Sequence, residues 1–182
     1  DARRLPMPVL KCWRKVSEFR FRIVEDDLRG REIAVLLQEH LDSTYEISPP
    51  GSVHALDLEA LRAPEISFWT AWDGPSLAGC GALRMLDATH AEIKSMRTDR
   101  NYLRKGVAAQ ILAHLITVGR ARGYHRLSLE TGNYEAFVPA HRLYERFGFQ
   151  PCDPFGGYRF DPISRYYTLQ LWSQTNPCPC SS

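Results

Sequence analysis

Two periodicities meet in the stretch 92–122, and no other feature constrains the fold as tightly. Glu92 to Thr98 alternates in steps of two, with Ile93, Ser95 and Arg97 on one face and Glu92, Lys94 and Met96 on the other. That pattern predicts a strand. Asp99 to Lys105 is polar and basic. From Gly106 to Arg122 the apolar residues Val107, Ala108, Ile111, Leu112, Leu115 and Ile116 recur at helical spacing, and Gly123 supplies a stop. A strand that feeds a helix through so short a loop must lay the helix on its own sheet, because each element has one apolar side to bury.

The rest of the chain reads as parts of the same sheet and its covering helices. Phe21, Ile23 and Val24 predict a strand closed by Glu25, Asp26 and Asp27. Leu28 to Leu41 carries Ile33, Leu36, Leu37 and Leu41 at helical spacing, and Ser48-Pro49-Pro50-Gly51 breaks that helix. Ala55 to Arg62 predicts a short helix stopped by Pro64. Ile66–Trp72 and Leu77–Met85 flank Asp73-Gly74 and predict a hairpin, with Gly79 and Gly81 marking a bulge or a close approach. Leu127–Leu129 is a further strand, Pro139–Phe147 a helix stopped by Gly148, and Phe149–Cys152 and Tyr166–Leu171 are closing strands. The order β-α-α-β-β-β-α-β-α-β-β predicts one α/β (α+β) domain over 19–172 with a mixed sheet. A basic extension, 1–18, precedes it and a tail, 173–182, follows.

Composition removes several function classes. Across 182 residues the formal charge is +2, from 23 basic and 21 acidic side chains, too little to imply a polyanionic partner. The excess sits in residues 1–22, with seven basic and two acidic groups, and is expected to be a solvated extension rather than a nucleic-acid arm or a targeting segment. The longest apolar stretch, Gly106 to Gly119, is interrupted by Gln110, His114 and Thr117, so no membrane span is expected. Five scattered cysteines do not form a disulfide framework, which points to a reducing, cytoplasmic setting. Cys178 and Cys180 have no second pair or histidine at ligand spacing, and no two histidines fall three or four residues apart, so no metal is expected.

The loop Leu103-Arg104-Lys105-Gly106-Val107-Ala108 opens the long helix. A helix start offers unpaired amides and the positive end of its dipole, which suits a phosphate. Gly106 lets an anion approach the backbone, and Arg104 and Lys105 add charge. A basic loop that needs Gly106 only for its turn fits the same residues. No G-K-[ST] follows and no G-x-G-x-x-G is present, so neither a Walker loop nor a dinucleotide fingerprint is involved.

Read with its flanks, the stretch resembles the GNAT superfamily of N-acetyltransferases, whose signature [QR]-x-x-G-x-[GA] opens the central helix. Arg104 to Ala108 fit that signature, while Leu103 stands where the family has Gln or Arg. A second family element, A-x-x-L-Y-x-x-x-G-F, is met by Ala140, Leu143, Tyr144, Gly148 and Phe149. Phe137 stands where many members have Asn. Within the superfamily the chain is similar to small bacterial acetyltransferases of the YsnE type, through Ser48–Pro50, His54–Leu56, Ala78–Leu83, Glu92–Thr98, Leu103–Ala108 and Leu127–Gly132.

The resemblance implies a GNAT fold, a mostly antiparallel sheet splayed at a cofactor cleft, and acetyl-CoA as acyl donor. It implies that Arg104, Lys105, Gly106, Val107 and Ala108 receive the pyrophosphate. Met96, Arg97 and Thr98 would line the pantetheine slot, Glu92 would act as general base, and Tyr144 would protonate the leaving thiolate. The expected acceptor is a primary amine of a small molecule or an amino-acid-like compound, attacked directly in a ternary complex. A protein or peptide acceptor and a non-turning acyl-CoA sensor are the alternatives. Homodimers are common in the family. Weaker candidates are Glu130 and Thr131 beside the cleft and one of Trp69 and Trp72, which would face opposite ways; Cys80 has no basic neighbour at motif spacing.

Overall fold

The computed structural model describes residues 20–47 and 57–171. The expected extension, the Pro49-Pro50 segment and the tail lie outside the described residues. Seven strands form one sheet: β1 (Arg22–Glu25), β2 (Ile66–Asp73), β3 (Ser76–Met85), β4 (His90–Thr98), β5 (Arg126–Gly132), β6 (Gln150–Pro151) and β7 (Ser164–Gln170). Their order is β1-β2-β3-β4-β5-β7-β6. All neighbours pair antiparallel except β4 and β5. Three helices, α1 (Arg31–Ile47), α2 (Val107–Ala121) and α3 (Val138–Arg146), cover it.

Each face of the sheet carries its own core. On one, Ile111, Leu112, Leu115 and Ile116 of α2 bury against Leu83, Ala91, Ile93, Leu127 and Leu129, and Tyr144 of α3 joins them. On the other, Ile33, Leu36 and Leu37 of α1 meet Phe68, Cys80 and Ala82. Gly79 and Gly81 are small because α2 lies on them. A Cβ on Gly79 would come within 2.6 Å of the Arg97 carbonyl and 2.8 Å of Val107, and one on Gly81 within 2.8 Å of Ile111. Gln110, the polar break in the apolar run, clamps α2 to the first strand segment: its amide donates to the Phe21 carbonyl at 2.6 Å and accepts from the Phe21 N–H at 3.3 Å.

Four sequence expectations need correction. Helix α1 starts at Arg31, not Leu28, because Leu28 sits at φ 62° and the Asp26 carboxylate accepts its N–H at 2.8 Å, fixing a turn before the helix. In the described part of Ala55–Arg62 only a 3-10 turn forms, Ala60–Arg62. The strand expected at Phe149–Cys152 shrinks to Gln150–Pro151. The fourth correction matters most. Strict alternation along β4 fails at a bulge, where the register with β3 slips between Cys80 and Ala82 and Ser95 adopts φ 52°. One extra residue reverses every later side chain. Met96 therefore packs in the α2-side core beside Ile93. Arg97 lies opposite Cys80, as Lys94 lies opposite Ala82 and Glu92 opposite Arg84. Glu92, Lys94 and Arg97 thus share the α1-side face.

Candidate active site

Strands β4 and β5 pair over only three positions, His90–Arg126, Ala91–Leu127 and Glu92–Ser128. Beyond them the two strands part, leaving Ile93–Thr98 and Leu129–Gly132 without each other as partners. A sheet interior that stops pairing exposes backbone donors and acceptors along the gap. The bulge at Ser95 lies on the edge of this gap. Met96, Arg97 and Thr98 lie on the stretch of β4 that has no β5 partner. Arg97 keeps its backbone opposite Cys80, and its Nε is buried without a hydrogen-bond partner.

The start of α2 closes one end of the gap. The first intrahelical bond runs from Gln110 N–H to Gly106 C=O at 3.0 Å, and no side chain caps the amides ahead of it. Arg104 at φ 60° and Gly106 at φ 88° turn the chain twice through the left-handed region. Space around Gly106 is open, since a Cβ there would meet nothing within 4 Å. Asp99 fixes the base of the loop, accepting the Asn101 N–H at 2.8 Å. Arg104 and Lys105 are exposed, Lys105 leaning on the Tyr102 ring at 5.0 Å. This is a row of amides with no side-chain cap among the described residues and with two cations beside it, and its chemistry fits a diphosphate. Leu103 points to solvent, 57 % exposed, and contributes no donor. Phe137 offers no amide either; its ring lies where a side chain on Gly132 would be, 2.6 Å from that Cβ position.

Tyr144 approaches the gap from the α2-side core, edge-on to Phe149 at 5.9 Å and tilted against Tyr167 at 6.2 Å. Its hydroxyl forms no hydrogen bond among the described residues. Burial, and then the charge of Glu130, push its phenol well above the usual value. Both causes disfavour the phenolate, so Tyr144 stands as the O–H form at neutral pH.

Glu92 comes from the opposite face and is 1 % exposed. The Tyr158 hydroxyl donates to its Oε1 at 2.6 Å, and Lys94 Nζ donates to the same oxygen at 3.2 Å. Lys94 also donates to the Tyr158 oxygen at 2.9 Å, and Arg84 Nη1 stands 3.9 Å from Oε2. Such a buried pair is costly to break from one side, about 3–5 kcal/mol. Direct contact between Glu92 and an acceptor is blocked by this shell. Tyr158 is the group that stands between Glu92 and the α1 side.

Sequence reasoning missed Tyr158 because it lies 66 residues from Glu92 in a loop without periodicity. The signal present was Phe155-Gly156-Gly157-Tyr158. Both glycines take positive φ, 55° and 95°, and Tyr158 N–H donates to Phe155 C=O at 2.9 Å, a tight turn that only glycines make cheaply. Burial first, then the Glu92 charge, raise the Tyr158 phenol far above its ordinary value. Phe155, Tyr158 and Tyr166 pack edge to edge beside it. Glu130 accepts the Ser164 O–H at 2.6 Å, and its charge bears on Tyr144 from one face and Tyr158 from the other. Tyr144 thus belongs to the α2-side core, and Tyr158 to the side of the sheet that carries Glu92.

Other candidates resolve as structure. His90 donates from Nε2 to Ser128 at 2.8 Å, because Arg126 Nη2, a donor only, occupies its Nδ1 at 3.0 Å. Cys80 is fully buried and its thiol is pushed up to about 12, chiefly by burial, which leaves it inert. Trp69 packs on His114 at 5.6 Å in the α2-side core, and Trp72 donates to Thr70 at 2.9 Å. Among the described residues no group of three or more His, Cys, Asp or Glu could hold a metal ion, and no helix is long and apolar enough to cross a membrane.

A central helix whose leading amides carry no side-chain cap among the described residues, set beside a sheet that opens between β4 and β5, offers a place for an anionic, strand-like ligand to lie. Residues 32–149 match the Acetyltransferase (GNAT) family, and the chain belongs to that family. It is 58 % identical over 146 residues to the uncharacterised N-acetyltransferase YsnE of Bacillus subtilis, covering 80 % of this chain and 97 % of that protein. Among solved structures, an acetyltransferase from Streptococcus agalactiae superposes with a TM-score of 0.65 at 20 % identity, covering 83 % of this chain and 98 % of that one. A GNAT family acetyltransferase from Elizabethkingia anophelis with acetyl-CoA bound gives 0.59 at 16 % identity, covering 83 % and 98 %.

Proposed function

We propose that this protein is an acetyl-CoA-dependent N-acetyltransferase acting on a primary amine of a small molecule or an amino-acid-like compound by direct attack in a ternary complex. The observation that supports the reading is the pairing of α2 amides that carry no side-chain cap with the unzipped β4–β5 gap, with Tyr144 in the core on one face of the sheet and Tyr158 bonded to Glu92 on the other. The 58 % identity to YsnE supports the N-acetyl assignment. Bound acetyl-CoA supplies an activated acetyl group; the residues of the chain do the rest. Amides of Gly106, Val107 and Ala108, with Arg104 and Lys105, hold the diphosphate. The free edge of Met96, Arg97 and Thr98 aligns the pantetheine arm by strand-like hydrogen bonds.

On the acceptor side, Glu92 is the proton sink and Tyr158 the relay. As the amine gives its proton to the Tyr158 oxygen, the phenol passes its own to Glu92 Oε1. The freed nitrogen lone pair forms the C–N bond, the C–S bond breaks, and its electrons leave on sulfur. Tyr144 donates its proton to that sulfur and is restored by the surplus N–H proton of the new amide. General acid–base help of this kind is worth about 100-fold or more.

The test is to incubate the protein with acetyl-CoA and a panel of amines, follow free thiol, and identify the acetylated product by mass. Thiol release that requires an amine, and falls about 100-fold or more in Glu92→Gln with acetyl-CoA affinity kept, is the expected result. Saturable acetyl-CoA binding without thiol release on any acceptor would turn the assignment to a sensor.

A further inference from the structure

On the assumption that the acceptor enters over Tyr158, we infer that it is a carboxylate-bearing amine, with the amine and carboxylate only a few bonds apart, and that Arg84 binds the carboxylate. The argument starts from a charge count on the α1-side face. Glu92 is matched by Lys94 at 3.2 Å and hydrogen-bonded by Tyr158 at 2.6 Å. The second carboxylate, Glu130, takes the Ser164 hydroxyl at 2.6 Å. His90 is engaged by Arg126 and Ser128. Arg84 is left over. Its guanidinium comes no closer than 3.9 Å to Glu92 and makes no hydrogen bond among the described residues, and its side chain is 38 % exposed. Its cross-strand neighbours are Ile66 and Glu92, so no other acid stands opposite it.

A guanidinium carries five donors in a planar fork that suits a carboxylate. Here that fork sits at one oxygen of Glu92, while Tyr158, the proposed proton acceptor, sits at the other. Two recognition points flanking a single carboxylate set a short span. A ligand that reaches both has its amine close to its acid, as an α- or β-amino acid does. The Phe155, Tyr158 and Tyr166 rings form an apolar wall beside this pair, suited to the remaining side chain. Arg84, on this reading, is a specificity determinant of the same site.

The experiment compares matched acceptors with the full chain and acetyl-CoA: an amino acid series, the corresponding amino acid amides, the decarboxylated amines and phosphorylated amines. Calorimetry of the amino acids against wild type and Arg84→Gln runs in parallel. The carboxylates are expected to be preferred about 10- to 100-fold in kcat/KM, the size of one or two charge-assisted hydrogen bonds. Arg84→Gln should raise the acceptor KM by a similar factor, erase the preference and leave the acetyl-CoA KM unchanged, while Arg84→Lys, which keeps charge without the fork, falls between. Equal rates on acids and amides, or preference for the phosphorylated amines, would overturn the inference and leave amine acetylation standing. Amino acid binding that depends on Arg84, without thiol release, would uphold the inference and sink the transfer reading. Neither binding nor transfer of any amino acid overturns this proposal outright.

Discussion

Tyr144 and Tyr158 show how two phenols on one gap acquire different work. Tyr144 packs against the rings of Phe149 and Tyr167 and its hydroxyl has no partner among the described residues, so on the proposed mechanism it is the donor. Tyr158 is already committed to Glu92 and Lys94, so it transmits a proton instead of storing one. Tyr144→Phe keeps the packing and removes the O–H. It should lower kcat about 10- to 100-fold and leave the calorimetric affinity for acetyl-CoA unchanged; wild-type turnover would return Tyr144 to a packing role. Histidine sets a second residue-level expectation. His90 and His114 are both held below the ordinary histidine value, mainly by burial, with Arg126 adding to the effect at His90. The unfolded chain takes up protons as pH falls through about 6.5, whereas the native histidines resist until lower pH. Stability contributed by keeping them neutral is thus present above about pH 6.5 and declines as pH falls toward their native values. The urea midpoint should drop between pH 7.5 and pH 5.5, and His114→Gln should flatten part of that slope.

Helix α2 was legible in the sequence because its stripe of Val107, Ile111, Leu112 and Leu115 repeats at 3.6 residues and every one of them is buried. Its starting glycine was legible too, and φ 88° gives the reason for it. Gly106→Ala adds a methyl into open space at a backbone angle that L residues resist, costing about 1 kcal/mol of stability. Gly106→Glu adds the same strain plus a negative charge against the leading amides. Calorimetry should find acetyl-CoA binding only modestly weaker in Gly106→Ala and weaker by at least about 100-fold in Gly106→Glu. Equal affinities in the two folded variants would remove the diphosphate from this loop. What the sequence hid at this scale was the bulge on β4. Its extra residue is Ser95, not glycine, so nothing in the composition of the strand betrays it. The acceptor-side shell was hidden for another reason. Arg84, Lys94 and Tyr158 meet through three separate strands or loops, and only Lys94 is near Glu92 in sequence.

At the scale of the whole molecule, the open sheet loses its pairing inside, between β4 and β5, as well as at its edge strands β1 and β6. Strand β5 pairs with β7 along its full length, while its other edge pairs with β4 over three residues. Along 93–98 and 129–132 the edges that face each other lack the inter-strand bonds that slow exchange elsewhere, although each stretch still pairs with its outer neighbour, β3 or β7. Acetyl-CoA should add hydrogen-exchange protection there and at 106–109, with little change in β2 or β7. Protection confined to other segments would move the donor out of the gap. The class of fold was readable from the order of elements, since one strand–loop–helix unit with hairpins on one side admits few closures. The face assignments beyond Ser95 were not, because they depend on a single inserted residue. That insertion separates two surfaces of one ribbon: Met96 faces the α2-side core, while Glu92, Lys94 and Arg97 share the other face. A side chain can therefore be exchanged on one surface without redrawing the other.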